Sequence, residues 1–310
     1  MTDTDVKVRC SAWARDVQLS PIATLGSYQG YLLVESPLPW PKDIGEIPTL
    51  TGLGARLGPA AIRLQALVPS ALGAAPPEHR VILHARRGGP EQPFAGYRRL
   101  ETTAGASLEG ALDRLLTASS TAGSVLEDPV TDLLVCTHGR RDVCCGSQGT
   151  DLALQLAAAG VPDGVRLART SHTGGHRFAP TFLVLPQGTA WAFANVTLVG
   201  QVLDRSVPFA QVAGHYRGCA GLGAPQVQAV EREALSVVGW ELLDRPRSGF
   251  LTGETTADGG EVVRLEAGTD RWEAVIGKGR TLPVPDCMKP LAEAKKSETE
   301  WTVSDFRTVR

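Results

Sequence analysis

Residues 131–160, TDLLVCTHGRRDVCCGSQGTDLALQLAAAG, restrict the fold more than any other stretch of the chain. The segment TDLLVC (131–136) is an apolar run of strand length. TDLALQLAAAG (150–160) has helical periodicity and stops at Gly160, a natural helix terminator. A buried strand therefore delivers Cys136 toward the N-terminus of a helix, through a loop that also holds Cys144 and Cys145. Helix N-termini offer unpaired N–H groups and a partial positive charge, which stabilise thiolates and cluster sulfides.

The elements that follow extend this unit. GVRLART (164–170) reads as a strand, and PTFLVLP (180–186) with TAWAFANV (189–196) as a hairpin across Gln187–Gly188. TLVGQVLDRSVPFAQVAGHY (197–216) is helical at both ends and should break near Pro208. The order β-α-β then β-β-α is that of a thioredoxin-like core. The first half reads similarly, with strands at 30–35, 79–85 and 94–100, a Gly-interrupted helix over 50–68 and a helix over 107–119. Its turn after the first strand, ESPLPWPKD, has no cysteine, so only the second half carries the chemistry. Beyond residue 225, a helix over 226–239 precedes three short strands, and 289–301 reads as a polar terminal helix. The fold class expected is α/β. A degenerate thioredoxin-like domain (1–125) precedes a thioredoxin-like βαβ-ββα domain (126–224), and a small accessory α+β tail (225–310) follows.

Composition narrows the function. With 31 basic and 33 acidic residues, formal charge −2, nothing drives the whole chain toward nucleic acid or anionic lipid. No run of 18 apolar residues exists, and the N-terminus lacks the basic-then-apolar order of a secretory signal. The expected compartment is the cytoplasm, where thiols stay reduced and clustered Cys and His favour metal or redox chemistry over a structural disulfide.

Downstream, SHTGGHRFAP (171–180) holds His172 and His176 around two glycines, which argues for a tightly wrapped loop over a helical i,i+4 pair. The full spacing is C-x8-C-x26-H-x3-H, and two thiolates with two imidazoles suit either zinc or a [2Fe–2S] cluster. Other chemistries fit less well. No C-x-x-C dithiol exists, a disulfide between the neighbours Cys144 and Cys145 is strained, and the C-x5-R spacing of a phosphatase loop fails. Cys10, Cys219 and Cys287 have no partner spacing and read as small buried residues. Trp191 and Phe193 read as core.

CTHGRRDVCCG with SHTGGHRFA closely resembles the sucrase/ferredoxin-like family, thioredoxin-like ferredoxins that share C-[ST]-H-x-x-R-D-x-x-C-G and H-x-G-G-H segments. RCSAWARD (9–16), YLLVESPLPW (31–40) and HYRGCAGL (215–222) match more weakly. The resemblance implies that residues 126–224 form a ferredoxin domain. It further implies a [2Fe–2S] cluster with Cys136 and Cys145 on one iron and His172 and His176 on the other. Cys144, where the family often has a basic residue, competes with Cys145 as ligand. Gly146 and the nine-residue step favour Cys145, and the motif puts His138 outside the ligand set.

Two neutral imidazoles in place of two thiolates make the cluster less negative and raise its reduction potential. Each ring keeps a second nitrogen, so electron transfer should be coupled to proton uptake. Asp142 is expected to hydrogen-bond the cluster loop or pair with Arg141, and Arg140, Arg141 and Arg177 to surround the site. Pro180 falls where thioredoxin-like folds often carry a cis-proline, and a plain strand-initiating proline is the other reading. The function expected is a soluble one-electron carrier that serves a reductase and an acceptor protein, with no nucleic-acid or membrane partner. The alternatives are a zinc-stabilised Cys2His2 binding or scaffold protein and a thiol-dependent reductase acting through Cys144 and Cys145.

Overall fold

A computed structural model describes residues 7–70, 79–121 and 129–309. The fold is mixed α/β. In chain order the elements begin with β1 (Lys7–Val8), α1 (Cys10–Asp16), β2 (Gly30–Glu35), α2 (Leu53–Leu57), β3 (Ile62–Leu67), β4 (Arg80–Arg86), β5 (Tyr97–Thr103) and α3 (Leu108–Ser119). The middle of the chain supplies β6 (Thr131–Cys136), α4 (Thr150–Ala159), β7 (Val165–Thr170), β8 (Phe182–Leu185), β9 (Thr189–Trp191), α5 (Val196–Asp204), α6 (Phe209–Val212) and β10 (Tyr216–Cys219). The remainder forms α7 (Pro225–Val238), β11 (Ser248–Thr255), β12 (Glu261–Ala267), β13 (Asp270–Val284), β14 (Lys289–Pro290) and β15 (Lys296–Val309).

Nine strands form one sheet in the order β10-β9-β8-β6-β7-β3-β2-β4-β5. It contains the same four-strand arrangement twice. β2 is parallel to β3 and antiparallel to β4, which pairs antiparallel with β5. β6 stands in the same relation to β7, β8 and β9. The two units meet where Leu67 of β3 pairs antiparallel with Thr170 of β7. Three strands separate β4 from β6 in this order, yet His84 Nε2 lies 2.7 Å from Asp132 Oδ2. The sheet therefore folds back at the β3–β7 joint and packs the two units against each other.

Alternation along β2 explains this packing. Tyr31 and Leu33 join the core shared with the second unit, whereas Leu32 and Val34 face a separate core closed by α2 and α3. Ser107 caps α3 by accepting from the Gly110 N–H, and the helix buries Ala111, Leu112 and Leu115. Each buried leucine contributes roughly 1.5–3 kcal/mol.

Two helices do not form as expected, and the second and third of the strands expected after residue 239 are one continuous strand, β13. Residues 50–68 are not one helix: α2 ends at Leu57, Pro59 sits in a single 3-10 turn, Ala61 turns left-handed, and Ile62–Leu67 is a strand. Gly58–Pro59 breaks the helix, and the alternation of Ile62, Leu64 and Ala66 suits a strand. Nor is 289–301 a helix. After β14 and one turn, β15 pairs along β13, where Thr299, Trp301 and Val303 supply the β-branched and aromatic residues that strands favour. The four-stranded antiparallel sheet β11-β12-β13-β15 packs on α7, whose other side meets β10. Val227, Val230 and Leu235 of α7 belong to the same hydrophobic cluster as Trp191 and Trp272, so the core runs without a break from one sheet to the other. No helix among the described residues is long and apolar enough to cross a membrane.

Candidate functional site

The site forms where β6 and β7 end. Cys136 is the last residue of β6, and its backbone carbonyl nearly touches the turn that carries Cys145. A Cβ on Gly149 would lie 1.9 Å from the Cys136 oxygen, so only glycine permits this approach. Residues Cys145–Gly149 form a π-helical turn that runs directly into α4. Asp142 caps it: Oδ1 accepts from the backbone N–H of Cys144 at 2.8 Å and of Cys145 at 3.2 Å.

His172 follows β7. The Thr173-Gly174-Gly175 turn then brings His176 back over the loop, with both glycines at positive φ. Beneath this turn lies Arg217, fully buried, whose guanidinium donates to the carbonyls of Gly174 and Thr24 and to Thr24 Oγ1. A Cβ on Gly175 would approach Arg217 Nη2 to 2.5 Å. The two glycines thus serve both the turn and the buried cation. The cysteine-free unit also holds this segment: Arg63 donates to the His172 carbonyl at 2.8 Å and Gln65 at 3.3 Å.

Of the four candidate ligands, Cys136, Cys145 and His172 come together, with one donor atom of each within 4.8 Å of the others. His176 sits beside them, its ring centroid 6.0 Å from that of His172, but its Nδ1 points at Asp142 Oδ2, 2.9 Å away. Its Nε2 is therefore the nitrogen left to serve as a ligand. His172 Nδ1 is buried and has no hydrogen-bond partner. Both nitrogens of His138 are engaged: Nε2 donates to the Pro41 carbonyl at 2.7 Å, and Nδ1 accepts from the His172 N–H at 3.3 Å.

The adjacent thiols Cys144 and Cys145 point apart. Cys145 hydrogen-bonds Cys136. This bond, together with His172, holds the Cys136 thiol well below its ordinary range against burial, while Cys145 is pushed up by the same bond and by burial. Cys144 Sγ instead lies 3.8 Å from Cys10 Sγ and 3.2 Å from Cys287 Sγ. Reading Cys10 and Cys287 as isolated small residues missed this second cluster, because only the fold brings them together. Cys219 is a small buried residue of the main hydrophobic core, whose thiol donates to the Gln187 carbonyl at 3.5 Å.

Asp142 pairs with His176, not Arg141. Burial opposes its charge, but the His176 hydrogen bond and the two backbone donors hold the carboxyl below the usual range. Arg177 turns away to pair with Glu298 of β15. Arg140 and Arg141 do face the site, with Lys42, Lys289 and Lys296, around an open groove of about 500 Å3 that reaches His172, His176 and Cys287. The Ala179–Pro180 peptide beside it is cis.

Neither a curated protein nor a solved structure matches the chain significantly. The model of the sucrase/ferredoxin-like family does match, over residues 21–218, a stretch that holds both cysteine and histidine motifs and Arg217. The chain belongs to the sucrase/ferredoxin-like family.

Proposed function

We propose that the protein is a one-electron carrier of the cytoplasm, built on two thioredoxin-like units, in which Cys136, Cys145, His172 and His176 hold a [2Fe–2S] cluster. The observation that carries the reading is the convergence of one donor atom each from buried Cys136, buried Cys145 and His172 within 4.8 Å, with His172 Nδ1 buried and without a partner. A buried polar atom without a partner is costly and calls for a role, and histidine is the commonest metal ligand. The recurring strand order, with the first strand parallel to the second and antiparallel to the third, supports the thioredoxin-like part of the proposal.

When bound, such a cluster accepts and releases one electron at a potential raised by imidazole ligation. The surrounding residues have their own tasks. Asp142 keeps the proton of His176 on Nδ1 and so orients Nε2. Arg217 and the glycine turn hold the two histidines in register, while Arg63 and Gln65 fix the His172 carbonyl. The basic groove at the histidines suits an acidic redox partner, either the reductase or the acceptor.

Metal analysis with visible and electron paramagnetic resonance spectroscopy tests the reading. The purified protein is expected to be coloured and to hold iron and acid-labile sulfide. Cys136→Ser and His172→Ala should bleach it or shift its spectrum, and Cys144→Ser should not. A colourless protein with zinc bound through these four residues would establish the scaffold alternative instead.

A further inference from the structure

The thiols of Cys10, Cys144 and Cys287 converge from three distant parts of the chain. Cys10 opens α1, Cys144 lies in the central loop, and Cys287 precedes β14. The short pairing of β1 with β14, Lys7 with Pro290 and Val8 with Lys289, brings the outer two segments together. Cys10 and Cys144 are fully buried and Cys287 is partly exposed, facing the basic groove. Together with Asp142, one donor atom from each of the four lies within 4.8 Å of the others.

We propose that Cys10, Cys144, Cys287 and Asp142 form a second metal site, distinct from the first, that takes a thiolate-preferring divalent ion of the zinc type. Four features carry this. First, tetrahedral zinc with metal–sulfur bonds of about 2.3 Å places its sulfurs about 3.8 Å apart. The Cys10–Cys144 separation of 3.8 Å is already at this spacing, and the Cys144–Cys287 separation of 3.2 Å would open by about half an ångström on binding. Second, these cysteines do not pack into the main apolar core. They form a separate cluster with Cys136, Cys145 and Ala179, which small residues recruited for packing would have no reason to do. Third, Cys10 and Cys287 both lie outside the 21–218 stretch that the family model matches, so this set is not the motif pair under another description. Fourth, Asp142 Oδ2 lies 3.5 Å from Cys10 Sγ and can complete a three-sulfur, one-oxygen set.

The site is buried on the side of Cys10 and Cys144 and opens to the basic groove at Cys287. Its ligands come from a loop shared with the first site and from two segments joined next to the thiols by β1 and β14. Binding would displace the thiol protons to solvent and move no electrons. Asp142 and His176 would then stand between the two sites: Asp142 Oδ2 faces both Cys10 Sγ and His176 Nδ1, and that nitrogen lies 3.4 Å from Cys10 Sγ.

The test is metal content in the full chain, with zinc as the probe and iron measured in the same samples. The reduced wild-type protein should hold close to one equivalent of zinc in a closed four-ligand site. Cys287→Ser, a change at the partly exposed ligand, should weaken zinc retention at least about tenfold. Cys10→Ser should do the same, and both should leave iron and the visible spectrum in place, with far-ultraviolet circular dichroism confirming the fold. Cobalt offered to the wild type should show tetrahedral ligand-field bands with thiolate charge transfer, and Cys287→Ser should lose both. Conversely, Cys136→Ser should lose iron and keep zinc.

Three results overturn the proposal. They are wild type that binds no zinc under reducing conditions, zinc that survives both Cys10→Ser and Cys287→Ser, and a Cys144–Cys287 disulfide in the zinc-loaded protein. Zinc that disappears with Cys136→Ser and His172→Ala while the protein holds no iron would sink the iron–sulfur reading as well. Loss of iron alone in those variants would leave the second site standing.

Discussion

His176 Nδ1 lies 2.9 Å from Asp142 Oδ2, and Asp142 Oδ1 accepts the N–H groups of Cys144 and Cys145. One carboxylate thus sets the tautomer of a histidine and the course of the cysteine loop together. Asp142→Asn keeps a cap for the loop but removes the charge on the imidazole. It should weaken iron retention by about 10–100-fold against a chelator, the usual effect of losing an outer-shell carboxylate. The midpoint potential should rise, because a nearby negative charge is gone. Retention and potential both equal to wild type would refute this role.

Gly175 is left-handed at φ +66 above Arg217. Gly175→Ala should cost about 1–2 kcal/mol from the backbone conformation alone, with a further loss from displacing the guanidinium. A lower urea midpoint at unchanged slope would show this. Gly174 also has positive φ, but a Cβ there would stand 3.9 Å from Arg217, so Gly174→Ala should lose only the backbone part.

Asp132 is buried against His84, Arg99 and Arg166, at 2.7, 2.8 and 2.6 Å. Burial opposes its ionisation, but the His84 hydrogen bond and the neighbouring positive charges hold its carboxyl far below the ordinary range. His84 is held below its ordinary value by burial, so the two guanidiniums supply the balancing charge. A depressed carboxyl contributes stability that is present above its unfolded value and lost as pH falls through it. Stability should therefore drop on acidification below about pH 4, where the unfolded carboxylate begins to bind protons. Asp132→Asn should cost about 3–5 kcal/mol at neutral pH, because it removes one member of a buried charge network and leaves Arg99 and Arg166 to share Glu101, and should flatten that acid slope. Denaturant titrations across pH measure both effects.

The groove beside His172 and His176 carries Lys42, Arg140, Arg141, Lys289 and Lys296 against Asp142 and Asp286. Oxidation of the reduced protein by ferricyanide, an anion, should slow as salt increases. Reversing Lys289 and Lys296 to Glu should slow it roughly tenfold at low salt, while a cationic oxidant such as hexaamminecobalt should speed up. Identical rates with both oxidants in wild type and variant would show that electrons leave by another face.

Local pattern made much of this architecture legible. The run TDLLVC, the stop at Gly160 and the break before Pro208 each correspond to an element boundary. What escaped was non-local. Reading 50–68 as one helix placed Arg63 and Gln65 on a helical face and hid their hold on the His172 carbonyl, although the alternation of Ile62, Leu64 and Ala66 was the available clue. Arg217 left no trace in spacing, because a cation buried under two glycines is visible only once the chain has folded. Cys10 and Cys287 had none either, since their meeting depends on β1 finding β14.

That pairing sets a timetable. Cys10 and Cys287 stand 277 positions apart, whereas Cys136 and Cys145 stand nine apart. Closing the longer loop costs about 3 kcal/mol more in chain entropy, if both behave as flexible chains. During synthesis Cys287 emerges 277 residues after Cys10, so Cys136 and Cys145 can meet while Cys144 still lacks one of its neighbours. Assembly of the two clusters therefore has a built-in order: the motif pair closes early, and the triad of thiols closes only after Cys287 has followed it out.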